Sequence, residues 1–238
     1  MRKKAIVTGA SRGIGRGIIR ELAAAGYDIA FSYRTREDEA KEAAEEIRNM
    51  GSFAWYAKAD MAQVGEGEKF FDQAVRELGG LDLLVNNAGV TVFQSILDLE
   101  MEETQKMLNL DLLNYLVLSS KAARYMKAHE VKGCIINITS SRAERAYPGD
   151  CVYGGIKAAV NRASQSMALD LAPYGIRVNC VAPGAICIRT PEEIKAEGRT
   201  EKEVTTGKKA WKHFKTITHH KYLVMKGCFA VGLYKQGL

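Results

Sequence analysis

The chain has 238 residues, 47% hydrophobic and 26% charged, with a formal net charge of +6 at pH 7. That length and apolar share suit one domain with a sizeable core, and no apolar run approaches the ~20 residues that a membrane span needs. Five scattered cysteines (Cys134, Cys151, Cys180, Cys187 and Cys228), odd in number and without a Cys-x-x-Cys pair, exclude a disulfide frame and a metal site and fit reduced thiols.

Met1-Arg2-Lys3-Lys4 leads straight into the apolar run Ala5-Ile6-Val7-Thr8, which leaves no room for the apolar region of a signal peptide. A cytoplasmic protein is expected. The charge is unevenly spread. Residues 1–206 hold 27 Lys and Arg against 28 Asp and Glu, a balance of −1, whereas residues 207–238 hold 7 Lys and no acid. The body is therefore near neutral and the tail basic.

Short apolar runs alternate with amphipathic ones along the chain. Strands are predicted at residues 5–8, 29–32, 53–58, 81–85, 134–139 and 177–181, and helices at 14–25, 37–50, 64–78, 102–126 and 152–171. Alternation at this spacing means a parallel sheet covered on both faces, and right-handed crossovers make it doubly wound, a Rossmann-type α/β fold in a single domain. No internal repeat, linker or low-complexity segment interrupts it.

The first turn, Thr8-Gly9-Ala10-Ser11-Arg12-Gly13-Ile14-Gly15, follows a strand and opens a helix. Glycines there permit a tight turn and a close approach of backbone to a pyrophosphate that faces the helix N-terminus. The spacing is Gly-x3-Gly-x-Gly, and a plain tight turn is the other reading. The second strand ends at Ser32-Tyr33-Arg34-Thr35-Arg36. A carboxylate at this point would hold a ribose 2′-hydroxyl, whereas Arg suits a 2′-phosphate. Arg34 and Arg12 thus favour NADP, with NAD as the alternative; Arg34 also reads as the start of a solvated helix. Asp60-Met61, after the third strand, could frame an adenine or form an ordinary strand-end turn. Asn86-Asn87-Ala88-Gly89 follows the fourth strand, where open sheets bind ligands and where simple turns also occur. Asn109 stands in a predicted helix among Met107, Leu108, Leu110 and Leu112, and would need partners if buried. Ser140 and Ser141 close the fifth strand.

Tyr153 and Lys157 stand four apart on one helix face. An ammonium beside a phenol favours the phenolate. Moving a tyrosine from its usual pKa of about 10 to about 7 takes roughly 4 kcal/mol, more than one partly exposed Lys supplies. A second positive charge, such as an oxidised nicotinamide ring, could supply the rest. Taken alone, the pair reads better as a chance pairing on a solvated face; its neighbours reverse that.

Together the motifs Thr8-Gly9-x3-Gly13-x-Gly15, Asn86-Asn87-Ala88-Gly89, Asn109, Ser140 with Tyr153 13 residues on, Tyr153-x3-Lys157 and Pro183-Gly184 resemble the short-chain dehydrogenase/reductase family over residues 5–184. The look is nearest to bacterial glucose 1-dehydrogenases and 3-oxoacyl-carrier-protein reductases. The resemblance implies that Tyr153 is the acid or base, that Lys157 lowers its pKa and holds the nicotinamide ribose, and that Ser140 steadies the substrate oxygen. It implies further that Asn109 holds a water relaying protons from Lys157, that Asn87 contacts the adenosine ribose, and that Asp60 and Met61 contact the adenine. Ile186, after Pro183-Gly184, would meet the carboxamide side of the nicotinamide, and the first turn (Gly9, Ser11, Arg12, Gly13, Ile14, Gly15), Tyr33, Arg34, Ala88, Gly89, Pro183, Gly184 and Tyr153 itself complete the implied cofactor set. The expected partner is a small alcohol or ketone, such as a sugar or a 3-oxoacyl thioester. The family also implies a homo-oligomer, commonly a tetramer built on the long helices after the fourth and fifth strands, with a dimer plausible here. Neither nucleic acid nor membrane is expected as a partner.

The chain departs from the family after residue 184. Ile188 stands where the family has Thr, and Thr190 comes two later. Residues 191–210 suit a substrate lid, but 211–238 form a divergent basic tail without a clear seventh strand. A frame-shifted terminus is one reading of that tail; nucleic-acid contact is another, weakened by thin aromatic interleaving (Trp211, Phe214, Tyr222). Six strands are secure. The missing strand leaves a second reading of the whole chain, a nucleotide-binding relic with little catalysis.

Overall fold

A computed structural model describes residues 2–184 and 186. The expected lid, the basic tail, the seventh-strand region, Ile188 and Thr190 lie outside the described residues.

Among the described residues, six strands form one sheet in the order β3-β2-β1-β4-β5-β6. They are β1 (Lys3–Val7), β2 (Tyr27–Tyr33), β3 (Ala54–Lys58), β4 (Leu83–Asn86), β5 (Cys134–Ile138) and β6 (Arg177–Val181), and every neighbouring pair is parallel. The order reverses between β1 and β4, so the strand ends diverge there and open a crevice, as in Rossmann-type folds generally. Helices α1 (Gly13–Ala24), α2 (Glu37–Asn49) and α3 (Val64–Leu78) follow the first three strands, and α6 (Cys151–Leu171) joins β5 to β6.

The strands are apolar on both sides because both are covered. In β1, Ala5 and Val7 point into a cluster with Ile29, Phe31, Ile19 of α1 and Ala43 and Ile47 of α2. Ile6 points the other way, among Leu84, Ile135, Phe70 and Phe71 of α3, and Leu118 and Met126. Ala5, Ile6 and Val7 are all fully buried. Each fully buried Ile, Leu or Phe contributes about 1.5–3 kcal/mol, so these two clusters hold the sheet that carries the site. Glu37, Asp38 and Glu39 occupy the first turn of α2, where the helix dipole favours acids.

One predicted element is corrected. The single helix expected over residues 102–126 is three pieces: α4 (Met101–Leu108), a π-helical turn (Asn109–Leu113) and α5 (Asn114–Ala128). At the join the Asn114 N–H bonds the Asn109 carbonyl, five residues back. Such wide turns recur at functional sites, because they re-aim the side chains they carry.

Candidate active site

The cofactor cleft is built by the carboxyl ends of β1, β2 and β4. Gly9 adopts a left-handed φ of +64°, its N–H donates to Ser32 Oγ at 2.9 Å, and the Ala10 N–H donates to the Ser32 carbonyl at 2.9 Å. Thr8 Oγ1 accepts from the N–H groups of Asn87 and Ala88 at 3.0 and 2.9 Å, and Asn87 Nδ2 donates to the carbonyls of Thr8 and Gly9 at 2.8 and 2.9 Å. A Cβ on Gly15 would come within 2.7 Å of Ala10 Cα and Asn87 Nδ2, so α1 packs directly against the turn. The N-terminus of α1 has no side-chain cap. Its N–H groups and positive dipole end are left to an anion. The cleft is lined by Gly9, Ser11, Arg12, Tyr33, Arg34, Asp60, Met61, Ala88, Gly89, Val90 and Leu110, among others. The glycine cradle and the uncapped helix fit a dinucleotide's diphosphate, and Arg34 at the end of β2 fits its ribose end.

A buried polar tie fixes the next part of the site. Asn86 and Asn137 are directly opposite in β4 and β5 and fully buried. Asn86 Nδ2 donates to Asn137 Oδ1 at 2.8 Å and to Ser119 Oγ of α5 at 3.1 Å. Asn137 Nδ2 donates to Ser164 Oγ of α6 at 2.9 Å. These bonds offset much of the cost of burying the two amides. The tie holds α5 and α6 against the strand ends that carry the reacting side chains.

Lys157 lies on α6 and is 3% exposed. Its Nζ donates to the Ile138 carbonyl at the end of β5 at 3.2 Å and forms a 2.8 Å ion pair with Asp111 Oδ1. Its Nζ stands 4.9 Å from the centre of the Tyr115 ring and 5.8 Å from that of Tyr153. Burial pulls the Lys157 ammonium down, but Tyr115, Asp111 and Tyr153 outweigh it and hold it above the ordinary lysine range. Burial pushes the Asp111 carboxyl up, against the pull of Lys157. Burial likewise pushes the Tyr115 phenol up, and Lys157 only partly offsets it. Tyr115 is 2% exposed and donates to the Ile138 carbonyl at 3.3 Å.

A phenol raised in the fold stabilises it only while protonated. The contribution is whole below the unfolded value of about 10 and is lost as pH climbs above it. We expect urea midpoints of the parent to fall more steeply between pH 9 and 11 than those of Tyr115→Phe. Parallel curves would remove Tyr115 from the account.

Tyr153 stands one turn before Lys157, half-buried, with Phe93 meeting its ring edge-on at 6.4 Å between centres. Ser140 follows β5 and is 8% exposed. Its Oγ accepts from the Arg142 N–H at 3.2 Å, which leaves the hydroxyl hydrogen to give to a substrate oxygen. Arg142 is clamped beside it: its guanidinium lies 4.5 Å from the Phe93 ring centre and 4.4 Å from that of Tyr147, and it pairs with the buried Asp150 at 2.8 Å. The wall next to Tyr153 is therefore aromatic, with the Arg142 guanidinium against two rings. Pro183 is buried and its carbonyl accepts from the Ser141 N–H at 3.1 Å, tying the segment after β6 to the serine turn. Gly184 is half-buried and Ile186 is exposed.

Tyr153 and Lys157, one turn apart on α6, thus stand beside the end of β5, from which Ser140 follows. The Asn109 Oδ1 accepts from Gln105 Nε2 at 2.9 Å, and the residue of the π turn that reaches Lys157 is Asp111. The reading of the sequence passed over Asp111, although a signal was present. Met107, Asp111, Tyr115, Leu118 and Ala122 share one helical face, and all five are buried. Asp60 forms a local turn, its Oδ1 accepting from the Ala62 N–H at 3.0 Å, while Met61 belongs to the core as well as to the cleft. Both N–H groups of the Asn87 amide are spent on the glycine turn. Gly13 and Ile14 open α1 beside the cleft. Among the described residues no three His, Cys, Asp or Glu are gathered to hold a metal ion, and no helix is long and apolar enough to cross a membrane.

A parallel sheet with a glycine cradle at its crevice, and a Tyr-x3-Lys pair beside a serine, define an oxidoreductase acting on CH–OH or keto groups with a nicotinamide dinucleotide. The family model described as short chain dehydrogenase matches residues 3–198, and the chain belongs to that short-chain dehydrogenase/reductase family. It is 36% identical over 186 residues to the 3-oxoacyl-[acyl-carrier-protein] reductase FabG of Staphylococcus epidermidis, covering 78% of this chain and 76% of that one. It is 35% identical over 198 residues to the L-2,3-butanediol dehydrogenase of Corynebacterium glutamicum, covering 83% and 77%. Among solved structures, a short-chain dehydrogenase from Burkholderia cenocepacia in complex with NADP superposes with a TM-score of 0.74 at 36% identity, over 78% of this chain and 75% of that one.

Proposed function

We propose that this chain reduces the ketone of a 3-oxoacyl thioester with NADPH and can run the reverse oxidation. The observation that carries the reading is the placement of Tyr153 one turn from a buried Lys157, with Ser140 at the end of the neighbouring strand. The bound cofactor supplies the hydride that reaches the carbonyl carbon. Tyr153 gives its hydroxyl proton to the carbonyl oxygen, so a secondary alcohol results. Ser140 donates to that oxygen as charge develops on it. Lys157, fixed by Ile138 and Asp111, has one N–H left for a ribose hydroxyl. The likeness to the Staphylococcus reductase supports the thioester; the butanediol dehydrogenase supports a hydroxyketone such as acetoin as the second reading, and a sugar is the third. The gathered catalytic set favours an enzyme over a relic.

Absorbance at 340 nm with NADPH and a panel of a 3-oxoacyl thioester, acetoin and gluconolactone tests it. Fastest turnover on the thioester is expected; turnover on none of the panel would sink the proposal. NADP is favoured over NAD by Arg34, exposed at the end of β2 on the cleft wall, and by Arg12 across it. Arg34→Asp is expected to move the preference toward NAD by about tenfold or more, the size of one charged hydrogen bond. An unchanged cofactor ratio would make Arg34 a bystander. We also infer a cytoplasmic homo-oligomer: Leu113 and Leu116 at α5 and Leu169 on α6 are exposed, on the helices through which the family pairs. Sedimentation velocity would find a monomer if that is mistaken.

A further inference from the structure

We infer that Asp111 is the buried counter-ion of Lys157, a positioning residue that cancels the amine's charge and so sets the pH range in which Tyr153 works. The inference rests on the reading of Tyr153 as the acid and base.

Four observations carry it. The ion pair is 2.8 Å long, with side-chain exposures of 4% for Lys157 and 1% for Asp111. The second carboxyl oxygen is held independently, accepting from the Val90 N–H at 3.1 Å, so the loop after β4 aims the carboxyl at the amine. A Cβ on Gly89 would come within 2.5 Å of Asp111 Oδ1 and 3.6 Å of Lys157 Nζ, so the chain keeps that space clear for the pair. The π turn, finally, delivers Asp111 between Met107 and Tyr115, on the face toward α6.

The charges around Lys157 can be counted element by element. Tyr153 faces it from α6, Tyr115 from α5, Asp111 from the π turn, the Ile138 carbonyl from β5 and Cys180 from β6. Burial pushes the Tyr115 phenol and the Cys180 thiol up, which keeps both neutral near pH 7. Lys157 and Asp111 together are net neutral, whether the proton lies on nitrogen or on oxygen. A neutral amide in place of Asp111 would leave the amine's charge uncompensated, and an uncompensated cation favours the phenolate. The carboxyl therefore keeps the surroundings of the Tyr153 hydroxyl electrically neutral until the cofactor's own positive charge arrives. The device tunes the enzyme toward ketone reduction near neutral pH, with alcohol oxidation rising only in alkali.

The test is the pH profile of alcohol oxidation at saturating cofactor for the parent, Asp111→Asn and Asp111→Ser. Both variants are expected to reach half of their plateau rate at a pH lower by about one unit, the low end of what a nearby charge produces. A purely structural residue would lower the rate without moving the profile. Superimposed profiles for a folded Asp111→Asn overturn the inference. So does failure of both variants to fold, because Asp111 would then serve the fold rather than the charge. Tyr153→Phe is run alongside: if it keeps full turnover, the reading of Tyr153 fails first and takes this inference with it. If it is inactive while the Asp111 profiles do not shift, only the inference about Asp111 falls.

Discussion

Replacing Tyr153 by Phe is expected to cut turnover by about a hundred- to ten-thousandfold, the range a positioned acid or base supplies, and to leave cofactor affinity nearly unchanged. The substitution removes one hydroxyl and keeps the ring. The ring is what packs: it meets Phe93 edge-on at 6.4 Å and stands 5.8 Å from Lys157 Nζ. Because Tyr153 is only half-buried, losing the hydroxyl leaves no orphaned group in the core, and the stability cost is small. The glycine cradle, Ser32, Asn87 and the uncapped start of α1 make the cofactor cleft without it. Titrating NADPH fluorescence separates binding from chemistry. Equal turnover in parent and variant would dismiss Tyr153 as the acid. Equal loss of binding and turnover would recast it as a cofactor ligand.

The sheet was legible because each strand is an apolar run bounded by turn residues, and the helices because their buried positions recur at three and four. The predicted strand at residues 81–85 against β4 (Leu83–Asn86) illustrates the usual error. Leu81 is as buried as the strand residues that follow, and hydropathy does not distinguish a covered approach from a paired strand. The π turn was not legible. Apolar spacing continues unbroken through residues 107–126, and a wide turn changes backbone bonding without changing that pattern. Asn109 matches the family pattern in sequence, whereas nothing local to Asp111 names its partner. Its partner is 46 residues away in sequence, and only the packing of α6 against the π turn brings the two charges together.

Lys157→Met tests that pairing through stability rather than rate. Met keeps most of the aliphatic stem and removes the charge, which leaves the Asp111 carboxyl, 1% exposed, without its counter-ion. Breaking a buried pair in this way costs about 3–5 kcal/mol. The cost should depend on pH with a definite sign. Burial already pushes Asp111 up with Lys157 present, and without Lys157 nothing of comparable size opposes it. Its folded pKa then lies above the unfolded value of about 3.9, so the folded state binds more protons than the unfolded one. Stability of Lys157→Met should therefore be nearest the parent's in mild acid, fall as pH rises and level off once Asp111 is ionised in the fold. In the double variant Asp111→Asn with Lys157→Met the carboxyl is absent, so both the excess cost and its pH slope should disappear, and the two single losses should sum to more than the double one. Urea midpoints at pH 5, 6.5 and 8 measure all three proteins. A pH-independent deficit in Lys157→Met, or additive losses in the cycle, would mean that the two side chains are neighbours in the core without being an electrostatic pair.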